Sequence, residues 1–73
     1  MEPMERDELL RCLEAIGMSN YEFCKMLGIN DRTGRNWTNG RAPIQPPTVA
    51  LLRLAVRHRV KAKRLAELIS EAL

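Results

Sequence analysis

The stretch SNYEFCKMLGINDRTGRNWTNG, Ser19 to Gly40, holds start and stop signals for two short helices with almost no chain between them. Ser19 followed three residues later by Glu22 is a capping box, whose cap contributes about 1 kcal/mol. Phe23, Cys24 and Leu27 then share one face, and Gly28 can take the positive φ that closes a helix. Ile29 is expected to plug inward. Asn30 is a good N-cap for the next helix, Asp31 suits its dipole, and Gly40 closes it. With so short a connection, the two helices must cross sharply. Few folds tolerate that.

The second of these helices is two-sided. At about 100° per residue, Asn30, Thr33 and Gly34 fall on the same side as Trp37, which is therefore read as a core residue. Asp31, Arg32, Arg35 and Asn39 fall opposite, with Asn36 and Thr38 at the edges. No acidic residue is expected to pair with Arg32 or Arg35, which leaves both for a ligand. Gly34 is the anomaly, because glycine inside a helix costs roughly 1 kcal/mol relative to alanine.

The flanks are helical as well. Leu9, Leu10, Cys12, Leu13 and Ile16 predict a helix from about Met4 to Ile16, ended by Gly17. RAPIQPP reads as an extended connector, and Pro46 or Pro47 opens a further helix. From Pro47 to Leu73 there is no helix breaker. Val49, Leu52, Val56 and Val60 form a stripe expected to cover the core. Leu51, Leu54, His58, Lys61, Leu65, Leu68 and Ala72 form a second stripe resembling a heptad seam. Either the helix breaks near RHRVKAKR and a fifth folds back, or one long helix offers that seam to a partner; polar His58 and Lys61 favour the break. The expectation is an all-α bundle of four to five helices in one domain, 1–73, with a helix-turn-helix at about 19–40. The tail at about 58–73 is expected to dimerise through Leu65, Leu68, Ile69 and Ala72.

Charge is segregated along the chain. Residues 1–22 carry six acidic side chains against Arg6 and Arg11, whereas residues 23–64 carry ten basic ones against Asp31 alone. An electropositive middle suits a polyanionic partner. No apolar run approaches the ~18 residues of a membrane span, and the start MEPMERDE does not resemble a secretion signal, so the expected location is cytoplasmic. Cys12 and Cys24 read as buried thiols. With His58 they are too few for a four-ligand zinc site, and no metal, cofactor or small-molecule ligand is expected. No paired acid and base or phosphate-cradling loop suggests an enzyme.

The residues SNYEFCKMLGINDRTGRNWTNGRAPIQPPTVALLRL, from Ser19 to Leu54, resemble the Cro-like helix-turn-helix family of phage and bacterial regulators, also called the xenobiotic-response-element family. The "LG" turn, "RT-x-R-x-W", "NGR" and "PIQPP" carry the likeness over about half the chain. The resemblance implies that Asp31, Arg32, Arg35 and Asn36 read bases, where Arg suits guanine, Asn suits adenine and Asp suits cytosine. It also implies that Asn20, Thr33, Thr38, Asn39 and Arg41 meet the DNA backbone; Tyr21 could add its hydroxyl. Two positions depart from the family pattern. Cys24 stands where alanine is usual and Gly34 where valine or isoleucine is usual. The two sites face each other across the turn, so a volume exchange is expected.

The expected function is a sequence-specific DNA-binding regulator, by resemblance a repressor, reading a pseudo-palindromic operator as a homodimer. The competing expectation is a protein-interaction module, antitoxin-like or adaptor, that grips its partner with the apolar C-terminal helix. An RNA-binding role lacks an exposed aromatic stacking surface.

Overall fold

The computed structural model describes residues 2–73 and is all-helical. Five helices follow in order: α1 Arg6–Ile16, α2 Asn20–Leu27, α3 Asp31–Thr38, α4 Pro46–Arg57 and α5 Ala62–Ala72. α1 packs on α4, α2 packs on α3, and α2 also touches α1 and α5. Phe23 on α2, Leu9 and Ile16 on α1, and Val49 and Leu52 on α4 are the largest fully buried side chains. Burying each contributes roughly 1.5–3 kcal/mol. α2 is thus held from below while α3 lies over it.

The first helix starts two residues later than its apolar spacing predicts. Met4 is buried ahead of the helix, and Glu5 takes the N-cap position without a side-chain cap bond. Trp37 is buried as expected, and both cysteines are free buried thiols. Burial raises the pKa of each, with the Glu8 charge adding to Cys12 and the Asp31 charge to Cys24.

α1 to α4 end in one way. An amide five residues on returns to a carbonyl of the last turn: Met18 to Leu13, Ile29 to Cys24, Arg41 to Asn36 and Val60 to Ala55. These are Schellman-type closures, which need a left-handed residue at the turn. Gly28 supplies it after α2 with φ +73, but after α4 the residue is Arg59 with φ +55. A non-glycine residue there is strained by about 1–2 kcal/mol.

This closure breaks the long apolar segment into α4 and α5. Val60, just past the turn, is half-buried and packs against the core. Lys61, the N-cap of α5, donates from Nζ to the Ala15 carbonyl at 2.7 Å. That bond ties the start of α5 to the last turn of α1, where a cation suits the dipole. Lys61 is therefore not a seam residue. The core stripe also differs from expectation, because Ala55 is buried while Val56 is 37% exposed.

Folding at the corner turns the second stripe into a groove of about 300 Å³ between α4 and α5. Leu51, Leu54, His58, Leu65 and Leu68 are among its lining residues. Leu65 is only 3% exposed, so it belongs to the core of one chain and is no free dimer contact, contrary to expectation. Leu68 is 36% exposed, Ile69 half-buried and Ala72 exposed.

The basic middle is also less free than its composition suggests. Arg53 grips Glu8 through Nε and Nη2 at 2.8 and 2.9 Å, and its Nη1 reaches the Glu2 carbonyl at 2.9 Å. The Arg53 guanidinium holds the Glu8 carboxyl below its ordinary pKa. This pair clamps α4 to α1, so Arg53 belongs to the fold and not to a solvated basic face.

Candidate nucleic-acid interface

Local chemistry presents α3 with one face outward. Ser19 accepts from the Glu22 amide while Glu22 accepts from the Ser19 amide, at 3.1 and 2.9 Å, which completes the capping box of α2. The Ser19 amide first, and the Ser19 hydroxyl after it, hold the Glu22 carboxyl below its usual pKa. The Asn30 side chain accepts from the Arg32 amide at 2.8 Å and fixes the start of α3. Gly34 and Trp37 are buried against the rest of the chain, whereas Asp31, Arg32, Arg35 and Asn39 are exposed.

Gly34 has a steric reason. A Cβ built there would lie 2.7 Å from Cys24 Sγ and 3.3 Å from Asn20 Nδ2, closer than such atoms pack. The sulfur occupies the space that a larger residue on α3 would need. This supports the expected exchange of volume between the two positions.

Asn20 completes this contact and has a structural role that its expected place at the DNA backbone did not include. Its Nδ2 donates to the Gly34 carbonyl at 3.0 Å, and its Oδ1 faces Cys24 Sγ at 3.9 Å. The amide nitrogen ties α2 to α3, while the amide oxygen stays within α2. The side chain is half-buried, and this bond to Gly34 uses one of the two Nδ2 hydrogens. The sequence pattern missed this because the side chain's partner is a carbonyl fourteen residues away.

The outward residues divide into free and engaged groups. Arg35 pairs with Asp31 one turn earlier, contrary to the expectation that it has no acidic partner. The side chains of Arg35 and Asp31 remain 64% and 54% exposed. Arg32 and Arg41 are exposed and in no ion pair among the described residues. Asn36 is half-buried, and its carbonyl accepts the Arg41 and Ala42 amides at 2.8 and 3.3 Å. The Arg41 backbone is thereby fixed just beyond the exposed face of α3. Thr33 and Thr38 are half-buried, and the Thr38 hydroxyl donates to the Arg35 carbonyl at 3.0 Å. Asn39 is the exposed C-cap of α3.

Tyr21 is 59% exposed on α2, and Lys25 Nζ lies 5.9 Å from the centre of its ring. A cation over a ring at this range is weakly attractive. Tyr21, Lys25, Ile29 and Asp31 border a cleft of about 200 Å³ beside the start of α3. Lys25 is a candidate contact that the sequence reading did not single out, although its i, i+4 spacing from Tyr21 was visible. Together these side chains can offer planar and point-charge donors to an anionic polymer beside a protruding helix.

Among the described residues no cluster of His, Cys, Asp and Glu could hold a metal ion, and no helix is long and apolar enough to cross a membrane. No protein-family model matches the chain. The chain is similar to the antitoxin HigA-2 of Vibrio cholerae serotype O1, with 36% identity over 62 residues. The match takes in 85% of this chain but 60% of the antitoxin's length, so this chain spans less than two thirds of that relative.

Proposed function

We propose that the chain is a DNA-binding helix-turn-helix regulator that reads a specific sequence through α3. The observation that carries this is the division of α3. Its inner face is buried at Trp37 and fixed on α2 where Gly34 meets Cys24 and Asn20, while its outer face leaves Arg32 and Arg35 exposed beside Arg41. An α-helix of this kind fits the major groove, and arginine pairs with guanine in bidentate fashion. In this reading Arg32, Arg35 and Asn36 face base edges. Arg41, Asn39, Tyr21 and Lys25 meet phosphates.

The regulator acts as a homodimer on a pseudo-palindromic site, with half-sites about one helical turn (~34 Å) apart. Its outcome is repression, as the family resemblance implies. Leu68, Ile69 and Ala72 on α5, with the groove beside α4, supply the dimer surface. The protein has no catalytic role and works in the cytoplasm.

A second reading has its own support. The likeness to an antitoxin and the open apolar groove between α4 and α5 together suit a protein that holds another protein, such as a toxin. DNA reading by α3 and a grip on another protein use different faces, but a second copy of the chain and a toxin would compete for the groove between α4 and α5.

Selection of bound duplexes from random DNA, with the stoichiometry of the complex measured, tests the first reading. Enrichment of a two-fold related motif bound by two chains supports it. Binding that enriches no sequence excludes specific reading, and a salt-insensitive complex excludes a polyanion site.

A further inference from the structure

The ion pair on α3 leaves one edge of a guanidinium free. Asp31 accepts from Nη1 of Arg35. That contact leaves the Nε–Nη2 edge of the guanidinium unused, and two parallel N–H groups on one edge fit O6 and N7 of guanine. Both side chains stay more than half exposed, so the edge is open to a ligand. Arg32, on the same face, has no such partner among the described residues.

We propose that Asp31 reads no base itself and is instead a positioning residue. It aims Arg35 at a guanine and penalises the complexes in which Arg35 grips a phosphate. This rests on the DNA-binding reading above. With Arg35 on guanine, Asp31 keeps its cation, and the pair enters the groove with no net charge. On a random duplex the strongest attraction for Arg35 is a phosphate. Moving there strips Asp31 of its partner within a Debye length (~8–10 Å) of the polyanion. The carboxylate therefore weakens non-specific binding more than specific binding. Exposed pairs of this kind contribute little to folding, so the arrangement can be altered without losing the domain.

The test compares wild type, Asp31→Asn, Arg35→Ala and the double variant. The probes are the duplex that wild type enriches from random DNA and a shuffled duplex of the same composition. Arg35→Ala first identifies the base pair that Arg35 reads. Asp31→Asn is then expected to flatten the guanine preference at that same base pair, to tighten binding to the shuffled duplex, and to steepen its salt slope by about one phosphate equivalent. In the double variant the asparagine should have no further effect on base preference. Thermal melting should be nearly unchanged throughout.

Loss of preference at a base pair untouched by Arg35→Ala would make Asp31 a direct reader and overturn the proposal. An equal change on both duplexes would overturn it too. Wild type that enriches no sequence would instead overturn the DNA-binding reading, and the proposal with it.

Discussion

The α2–α3 unit and the α4–α5 corner are built from similar parts but finished differently. Both join two helices through a left-handed residue that closes the first helix. At the first junction that residue is Gly28, a side-chain cap restarts the chain at Asn30, and Asn20 bolts the second helix down. At the second junction the residue is Arg59, the restart at Lys61 has no side-chain cap bond, and the helices part around an apolar groove. The first unit is internally satisfied, which suits the rigid reading head of the proposed function. The corner leaves Leu54 54% and Leu68 36% exposed, which suits a surface finished by another chain.

The largest expected effect comes from removing the support beneath the reading head. Phe23 is fully buried, and Phe23→Ala is expected to cost about 3–5 kcal/mol, a large part of the stability of so small a domain. Urea unfolding followed by circular dichroism would measure it. The matching change at the corner is Leu68→Ala, expected to alter monomer stability by no more than about 0.5 kcal/mol. It should nonetheless shift self-association toward monomer in sedimentation equilibrium. If Leu68→Ala destabilised the fold as much as Phe23→Ala, the corner would be core and the contrast would collapse.

The two regions also differed in how far the sequence revealed them. The devices of α2–α3 are local: Ser19 with Glu22, Gly28 and Asn30 act within a few residues, so their spacing alone placed both helices. The inward orientation of Trp37 followed from periodicity. What was hidden depends on tertiary partners. Asn20 reaches Gly34, Arg53 reaches Glu8 across 45 positions, and Lys61 reaches Ala15. No periodicity encodes such contacts. The corner was only half legible because nothing marks Arg59 as a left-handed residue. The pairing of Asp31 with Arg35 was local and visible at i, i+4. Assigning both residues to the outward face treats them as separate groups, although side chains four positions apart adjoin on a helix.

A sharper comparison concerns the packing inside the reading head. Gly34→Ala should gain helix propensity of roughly 1 kcal/mol, yet the new Cβ meets Cys24 Sγ at 2.7 Å. The sulfur is 2% exposed and sits beside Asn20, so it has little room to yield. Overpacking of this kind costs about 1–3 kcal/mol, so the net change is expected to be destabilising by about 1 kcal/mol. In a Cys24→Ala background the same substitution should become neutral or stabilising. A double-mutant cycle in urea checks this, and a stabilising Gly34→Ala with Cys24 in place would end the volume-exchange account.

The turn residues offer a direct reciprocal test. Arg59→Gly removes left-handed strain and should stabilise by about 0.5–1 kcal/mol, less than the full strain because glycine gains more entropy on unfolding. Gly28→Ala imposes that strain at the other junction and should cost a similar amount. Thermal melts of the two variants should therefore move in opposite directions. Shifts of the same sign would mean that Arg59 makes a compensating contact, and the corner would then be as well finished as the reading head.

The smallest expected effect is in the acid range, and it weighs a carboxylate of the reading head against the one that anchors α4 to α1. Glu22 closes the cap of α2, and Glu8 joins α1 to α4 through Arg53; both have pKa values lowered by folding. A lowered folded-state pKa means that the native chain binds fewer protons than the unfolded chain. The stabilisation is therefore fully present above the ordinary carboxylate range, near pH 4.3 for glutamate, and is lost as pH falls through the folded values. Melting temperature should be insensitive to these groups from neutral pH to about pH 5 and should decline below it. Glu8→Gln and Glu22→Gln should each make that decline shallower. Glu8→Gln should flatten it more, because the bidentate contact of Arg53 requires the charge, whereas a glutamine at position 22 can still accept the Ser19 amide. If Glu22→Gln had the larger effect, the cap would depend on charge, and the reading head would be the more acid-sensitive of the two regions.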